Sequence, residues 1–439
     1  MDVSNRGDET LAAGLAHPSE TSESVLLATK LHAPPARPEH VGRGHLVERL
    51  RSGAAPRLTL VVAPPGWGKT TLLTQWLAFE AESRATAWLS LDEGDNDPVR
   101  FFSYVIAALR TVEPELGSDA LAALRSSTAS LTEVALPLLV NELAERSQEI
   151  LLTVDDYHVV ENEKIHEALG FLVEHAPPTL RLAIGCRYEP PLPLPRLRAR
   201  GELRELRASD LSFDAEEATS FLNDGLSLDL STDEIDRLLV STEGWAAGLY
   251  LAALSAQGQS GPDTATQSKI SGQDRHLADY FTSEVLERQP DEARTFLLRT
   301  SVLERLNGSL CDAVVESDDG GEMLERLERS NLFLVPLDTT REWYRYHHLF
   351  RELLRHELKR AEPDLIPILH RRATAWHLDA GAIPEAIGHA TRAGDFAEAS
   401  DLIAEHWALA TNAGQLATII LWLDALPEDI VINDARLCV

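Results

Sequence analysis

The sequence predicts an α/β domain with a parallel sheet, followed by a helical domain, a winged helix and the start of a helical repeat array. Residues 30–213 alternate short apolar strand candidates with segments whose apolar residues recur at helical spacing. That alternation is typical of a parallel sheet covered on both faces by helices. Beyond Phe213 the strand signals nearly vanish, and the 439 residues exceed the size of one typical domain. We therefore expect several folding units.

Four short apolar segments are predicted to be buried strands of the sheet: 58–62, 86–91, 149–154 and 180–185. Segments such as 98–111 and 131–146 supply helices between them. Ligands of open α/β sheets bind at the carboxyl ends of the strands. The residues that follow these strands are therefore the candidate site.

The first strand runs directly into a glycine-containing loop. The run from Ala63 to Thr71 reads Ala-Pro-Pro-Gly-Trp-Gly-Lys-Thr-Thr, and a helical pattern follows at 72–77. A strand, a Gly-Lys-Thr loop and a helix make up a phosphate-binding P-loop, the mark of an α/β P-loop NTPase domain. Ala63 replaces the first glycine of the usual pattern, although a small residue can still enter the loop there. An ordinary glycine-containing turn between strand and helix is the alternative.

The loop residues are expected to hold a nucleotide together with Mg²⁺. Backbone N–H groups and the positive end of the following helix converge on the phosphates. Lys69 supplies a mobile cation to the β- and γ-phosphates, and the Thr70 hydroxyl can join the Mg²⁺ shell. The other loop residues expected to contact the nucleotide are Pro65, Gly66, Trp67, Gly68 and Thr71.

A second motif follows the strand at 149–154, where Asp155 and Asp156 are adjacent. Asp155 is placed to hold Mg²⁺ through water, and Asp156 to orient or deprotonate the attacking water. A solvated Asp-Asp turn is the alternative. Two acids after an apolar strand, downstream of a P-loop, favour the catalytic interpretation.

Composition limits the class of protein. The net charge of −30 argues against wrapping nucleic acid, because neutralising phosphates dominates that affinity. The three cysteines are far apart, which predicts neither a disulfide framework nor a zinc site. The N-terminus does not resemble a secretion signal, and no apolar run is long enough for a bilayer span. We expect a cytoplasmic protein without membrane contact.

Five segments are predicted along the chain: a disordered leader at 1–27, the nucleotide-binding domain at 28–213, a helical domain at 214–290, a winged helix at 291–362, and the start of tetratricopeptide-like repeats at 363–439. Within the helical domain, 257–275 is predicted to be a flexible loop. The winged helix is predicted from three helical stretches and a two-stranded ribbon. Its third helix carries about as many acids as bases, which favours an internal packing role over DNA reading.

The repeat prediction depends on small residues that recur. Ala-Gly pairs lie at 380–381, 393–394 and 413–414. Small residues at a spacing near that of a helix pair are typical of tetratricopeptide-like arrays.

The order of these domains resembles the signal-transducing STAND NTPases, and within them the MalT-type group of large LuxR-family transcription activators. Short separated phrases in the same order carry the resemblance. They begin at Thr29 (TKLHAPP), Val41 (VGR), Pro64 (PPGWGKTT), Val154 (VDDYH), Glu243 (EGWAAG) and Tyr344 (YRYHHLF).

The resemblance implies roles for residues outside the two motifs. The segment from Val41 to Arg43 is similar to the one that packs against adenine and ribose; a surface charge is the alternative for Arg43. Arg187 occupies the place of a sensor arginine that responds to the γ-phosphate, which adds it to Lys69 and Asp156 as a candidate catalytic residue. A salt bridge at the strand end is the alternative for Arg187.

The winged helix contributes one further candidate. His347 resembles the histidine that contacts the β-phosphate of ADP in STAND switches, with His348 as the alternative and a packing role open for either. Trp245 is interpreted as a core anchor, with small neighbours that let its helix approach the nucleotide base.

The resemblance implies an ATP/ADP-dependent signal-transducing switch, the regulatory core of a MalT-like activator. Such a switch opens and self-associates when ATP binds and a small-molecule inducer binds the repeats, and slow ATP hydrolysis resets it. DNA binding is expected only through a C-terminal helix-turn-helix, which none of these 439 residues resembles. A housekeeping or motor ATPase that couples turnover to mechanical work is the alternative.

Overall fold

The computed structural model describes residues 26–35, 41–126, 130–258, 275–412 and 416–437. The predicted leader at 1–27 lies outside the described residues except for its last two positions. Most of the predicted loop at 257–275 and the third Ala-Gly pair, at 413–414, also lie outside the described residues.

A five-stranded parallel sheet forms the first domain. Its strands are β1 (Leu58–Val62), β2 (Ala85–Ser90), β3 (Ile150–Asp155), β4 (Leu180–Cys186) and β5 (Leu203–Arg207), in the order β2-β3-β4-β1-β5. All the pairings are parallel, and Val62 at the end of β1 lies opposite Cys186 at the end of β4. The four predicted strands are confirmed, with ends displaced by no more than one residue.

Strand β5 is not among the strands predicted from the sequence. Its five residues read Leu-Arg-Glu-Leu-Arg, and only Leu206 among them is buried. An edge strand can carry charged side chains where it is partly exposed, as the other four residues of β5 are. The signal on which the other four predictions depended is therefore absent from this segment.

Helices cover both faces of the sheet, as predicted. Alternate residues of β1 enter different cores, since Leu60 and Val62 pack on one face and Val61 on the other. The helices of this domain are α1 (Gly44–Arg51), α2 (Lys69–Glu80), α3 (Pro98–Arg110), α4 (Ser118–Arg125), α5 (Leu136–Ala144), α6 (Glu163–His175), α7 (Leu194–Ala199) and α8 (Ala208–Leu211).

The next domain is helical in its described residues. It contains α9 (Ala215–Thr219), α10 (Thr232–Thr242), α11 (Ala246–Gly258) and α12 (Arg275–Phe281), with wider π-helical turns at Ser220–Gly225 and Thr282–Leu286. A tight turn joins α10 to α11. Glu243 and Gly244 both have positive φ in that turn, and a Cβ on Gly244 would lie 2.2 Å from the Ser212 hydroxyl oxygen.

The predicted winged helix is confirmed. Three helices precede a two-stranded antiparallel ribbon, and a fourth helix follows: α13 (Asp291–Thr300), α14 (Gly308–Val315), α15 (Gly320–Arg329), β6 (Leu334–Pro336), β7 (Tyr344–Tyr346) and α16 (His348–Ala361). The buried side of α15 consists of Met323, Leu324 and Leu327. This third helix therefore packs inward through an apolar face.

The last part of the chain is helical, with α17 (Ile366–Asp379), α18 (Ile383–Ala393), α19 (Phe396–Asn412), α20 (Leu416–Asp424) and α21 (Glu428–Asn433). From α17 to α20 each helix packs against the next, and α17 also packs against α14 of the winged helix. The tetratricopeptide-like assignment stays a prediction. Nowhere in the described part of the chain is a helix both long enough and apolar enough to span a membrane.

One hydrophobic core connects the first three domains. It extends from Val61 and Trp76 of the nucleotide-binding domain, through Trp245 of the helical domain, to Phe333 and Phe350 of the winged helix. The three domains are therefore packed together in a closed arrangement.

A buried charge cluster fixes the segment that precedes α1. The Lys30 ammonium lies 2.6 Å from a carboxylate oxygen of Asp92 and 2.6 Å from one of Asp95. Asp95 is fully buried, and it also accepts hydrogen bonds from the Arg100 guanidinium (3.2 Å) and from the Asp92 N–H (2.9 Å). Removal of Asp95 would therefore leave the Lys30 ammonium and the Arg100 guanidinium without one of their neighbouring negative charges.

We expect Asp95→Ala to lower the free energy of unfolding by at least about 2 kcal/mol, because a buried group with several charge-assisted partners is lost. Urea unfolding followed by circular dichroism measures the change. Glu93→Ala is the control, since the Glu93 side chain is exposed, and it should change the value by less than about 0.5 kcal/mol. Equal stability of the two variants would mean that Asp92 neutralises the Lys30 charge sufficiently without Asp95.

Candidate nucleotide-binding site

The predicted P-loop lies between the carboxyl end of β1 and the start of α2. Gly66 and Gly68 have φ of 78° and 79°, values that glycine adopts without strain. Gly68 is also the residue that precedes the first turn of α2. The loop therefore makes the tight strand-to-helix connection that a phosphate site requires.

Lys69 is buried inside its own loop. Its ammonium donates hydrogen bonds to the carbonyl oxygens of Ala63 (2.8 Å) and Pro64 (3.0 Å). Burial lowers the pKa of Lys69 to about 8, against the opposing charges of Asp155 and Asp156. An anion in the loop would stabilise the charged form of this lysine.

Asp155 and Thr70, one from each of the two motifs, are in direct contact. The Thr70 hydroxyl donates to one Asp155 carboxylate oxygen at 2.6 Å, while the other oxygen is buried without a hydrogen-bond partner. Burial, with the charge of Asp156, raises the pKa of Asp155 to about 6. A hydroxyl beside an unsatisfied carboxylate oxygen is a donor set that suits Mg²⁺, which is usually held by one or two carboxylates and phosphates. Among the described residues, no group of three or more His, Cys, Asp or Glu side chains is arranged to hold a metal ion.

The end of β4 approaches Asp155 closely. A Cβ on Gly185 would lie 2.4 Å from the Asp155 Oδ1 atom and 2.8 Å from a methyl carbon of Leu73. Only glycine fits between these groups. Sequence reasoning missed this residue, although a glycine inside a strand pattern is a recognised sign of close approach.

Asp156 occupies a strained position beside a cavity. Its φ of 58° is in the left-handed region, which non-glycine residues rarely adopt. Its pKa is raised by burial, an effect opposed by the charges of Lys69 and Arg187. The cavity has a volume of about 380 Å³, and its lining includes Asp156, His158, Arg187 and Arg288. Asp156 is therefore positioned to contact a molecule in this space.

The turn between α10 and α11 holds the P-loop. The Trp245 indole N–H donates to the Pro65 carbonyl oxygen (3.1 Å), and the Ala247 backbone N–H donates to that of Gly66 (3.0 Å). Trp245 is fully buried and stacks on Phe281, with ring centroids 4.9 Å apart. It is a core anchor, as interpreted from the sequence, and it also contacts the loop directly.

The same turn contacts the winged helix. The Arg345 guanidinium donates two hydrogen bonds to the Glu243 carboxylate, at 2.7 and 2.8 Å. The His348 backbone N–H donates to Glu243 at 3.0 Å, and the His347 Nε2–H donates to the Thr242 carbonyl oxygen at 3.0 Å. The P-loop and the winged helix are thus connected through one short turn.

The two candidate histidines face in different directions. His347 is 2 % exposed and packs edge-on against Trp245, with ring centroids 6.1 Å apart. Its Nδ1 atom is buried without a hydrogen-bond partner, and burial lowers its pKa. His348 is exposed at its side chain and lies 3.3 Å from Glu352. His347 therefore faces the interior next to Trp245, while His348 faces away.

Arg43 is buried rather than on the surface. Its Nε lies 2.7 Å from the Glu217 carboxylate, and its Nη1 donates to the Leu211 carbonyl oxygen at 3.1 Å. The Gln75 amide, which sequence reasoning missed, bridges this segment to α2 through the Val41 carbonyl oxygen (2.7 Å) and the Arg43 N–H (2.9 Å). The segment from Val41 to Arg43 thus lies against the helix that begins at the P-loop, and its contact with adenine stays a prediction.

Arg187 follows β4 and contacts the two domains downstream. Its guanidinium lies 3.4 Å from the Glu284 carboxylate, and its carbonyl oxygen accepts a hydrogen bond from the Asn331 side chain at 2.8 Å. A salt bridge is present, as the alternative proposed, and it joins different domains. Neither Glu284 nor Asn331 carries a motif, so sequence reasoning could not find them.

The chain has relatives among known proteins. The MalT winged helix domain family matches residues 282–366. The HTH-type transcriptional regulator MalT of Serratia proteamaculans is 37% identical over 417 residues, which are 94% of this chain and 46% of that protein. The serine/threonine-protein kinase PknK of Mycobacterium tuberculosis is 35% identical over 398 residues, 90% of this chain and 36% of that protein. The chain thus spans less than half the length of these relatives.

The fold has a counterpart among solved structures. A Walker-type ATPase of Pyrococcus abyssi superposes with a TM-score of 0.51 at 17% identity, covering 72% of this chain and 96% of the other. At this identity the likeness concerns the fold alone. The chain is thus similar to a MalT regulator over 94% of its length, its winged helix matches the MalT winged helix domain family, and its fold resembles that of a Walker-type ATPase.

Proposed function

We propose that this chain is the nucleotide-dependent switch of a MalT-like transcriptional regulator. The observation that carries the proposal is the turn from Thr242 to Gly248, which hydrogen-bonds the P-loop on one side and the winged helix on the other. A ligand that changes the P-loop changes this turn, and through it the domain packing. ADP favours the closed arrangement, and ATP favours an open one.

The residues at the sheet edge support nucleotide binding with Mg²⁺. Lys69 binds the phosphates, Thr70 and Asp155 hold the metal ion, and Asp156 orients or deprotonates the attacking water. When bound, Mg²⁺ neutralises part of the phosphate charge. The buried, unsatisfied oxygen of Asp155 supports this assignment.

Closure depends on contacts that a modest free energy can shift. The Glu243–Arg345 pair is partly exposed, so it contributes less than a fully buried pair would. A nucleotide shifts the equilibrium only by its difference in affinity for the two arrangements. Slow hydrolysis of ATP then returns the protein to its ADP-bound, closed form.

Regulation and output follow from the same proposal. The helices after Pro363 bind a small-molecule inducer, and opening exposes surfaces for self-association. DNA is contacted by a part of the regulator outside these residues. The relative PknK is named as a protein kinase and not as a transcriptional regulator. This supports the view that a switch of this kind controls effector domains of more than one type.

Lys69→Ala should weaken ATP binding by roughly a hundredfold or more, because it removes the cation that the loop offers to two phosphates. Asp156→Asn should keep ATP binding within about threefold and slow hydrolysis at least about a hundredfold, since the general base is lost. Titration calorimetry and phosphate release measure the two quantities. Equal loss of ATP binding in both variants would show that the roles of Asp155 and Asp156 are assigned wrongly.

Turnover separates the switch from a motor ATPase. The wild-type protein should retain ADP through purification and turn over ATP slower than about once per second, below the rates of most enzymes. Chromatography of the released nucleotide and a steady-state ATPase assay measure both. Purification without nucleotide, together with many turnovers per second, would support the motor.

His347→Ala should release ADP about two- to tenfold faster than the wild type, because the closed form loses the hydrogen bond that the His347 Nε2–H donates to the Thr242 carbonyl oxygen. His347→Gln, which keeps a side-chain donor, should have a smaller effect, and so should His348→Ala. Dissociation of a fluorescent ADP analogue and sedimentation velocity check release and self-association. Faster release in His348→Ala alone would transfer the role to that residue.

A further inference from the structure

The cavity beside Asp156 is lined by two arginines, Arg187, which the resemblance marks as a sensor arginine, and Arg288, to which no role has been given. Arg187 lies at the end of β4, and Arg288 lies just after the π-helical turn Thr282–Leu286 that leads to the winged helix. His158 lines the same space and is largely buried, and its pKa is lowered to about 3 by burial, with Arg187 adding to the effect. At neutral pH the two arginines therefore supply the cations of this cavity, whose lining also includes the carboxylates of Asp92, Glu93 and Asp156.

A carboxylate connects these two arginines. One Glu284 oxygen lies 3.4 Å from the Arg187 Nη2 atom and 3.1 Å from the Arg288 Nη2 atom. Glu284 belongs to the π-helical turn, whereas Arg187 belongs to the nucleotide-binding domain. Two guanidinium groups around one anion are the arrangement with which proteins bind carboxylates and phosphates alike.

We propose that in the closed form Glu284 occupies the place that the third phosphate of ATP takes beside the sensor arginine Arg187, and that Arg288 is a second cation of this phosphate site. The proposal rests on the nucleotide binding proposed above. A terminal phosphate and the Glu284 carboxylate compete for the same two guanidinium groups. ADP has no third phosphate, so it leaves the Glu284 contacts intact.

This competition makes the closed form selective for ADP. ATP must displace Glu284, which removes the ion pair between Arg187 and the turn that leads to the winged helix. The Arg187 carbonyl oxygen is also held by Asn331 of the winged helix, so the displaced pair lies beside a second domain contact. Because binding and conformation are reciprocally linked, a form without the Glu284–Arg187 pair binds ATP more tightly.

The test compares the affinities of ADP and of the non-hydrolysable ATP analogue AMP-PNP. Each displaces a fluorescent ADP analogue from the 439-residue chain in the presence of Mg²⁺. Glu284→Gln should bind AMP-PNP about three- to tenfold more tightly, a range that reflects charge-assisted bonds at a partly exposed site. ADP affinity should stay within about twofold. Glu287→Gln is the matched control, because that side chain is exposed on the neighbouring turn.

Arg288→Gln provides the opposite test. This variant should lower the affinity for AMP-PNP by about three- to tenfold and leave the affinity for ADP unchanged, because only the third phosphate contacts this arginine. An unchanged ratio of the two affinities in Glu284→Gln, or equal changes for both nucleotides, would overturn the competition. Wild-type protein that binds neither nucleotide would instead refute the proposed function, and the inference with it.

Discussion

The closed arrangement depends on the contact between Trp245 and the P-loop. The indole ring is fully buried in the core that the first three domains share, and its N–H reaches the Pro65 carbonyl oxygen at 3.1 Å. A tryptophan suits this position because it buries a large apolar surface while keeping one donor for a polar partner. Without it, the loop carbonyl would lose its donor and the aromatic cluster its centre. The helical domain therefore acts as the connection between nucleotide site and winged helix.

Tight packing around Gly66 reinforces this contact. A Cβ on Gly66 would lie 2.6 Å from the Ala247 Cβ, 2.8 Å from the Trp245 Nε1 and 2.9 Å from the Tyr280 hydroxyl oxygen. Glycine is thus required at position 66 for two reasons. Its φ is positive, and the helical domain leaves no space for a side chain. Nucleotide site and domain interface share the same backbone atoms.

The sequence was informative where chemistry demands particular residues in a fixed order. The P-loop and the pair Asp155–Asp156 could be assigned because phosphate and Mg²⁺ sites restrict both residue type and spacing. Contacts between domains impose no such spacing. The sequence does not reveal that Glu243 pairs with Arg345 or that Glu284 pairs with Arg187, because only the fold brings these residues together. Arg43 illustrates the same limit, since the pattern marked it as important but could not name Glu217 as its partner.

The pairing of β1 with β4 has a consequence for the proposed switch. The two strands end side by side, and the Ala63 N–H donates to the Cys186 carbonyl oxygen at 3.3 Å, directly before the P-loop and directly before Arg187. Main-chain hydrogen bonds therefore fix the spacing between the P-loop and Arg187. Under the proposed function, the sheet does not lengthen to admit the additional phosphate of ATP. The elements that pack against the loop from outside the sheet would then accommodate it, and the neighbouring domains would be the parts that move.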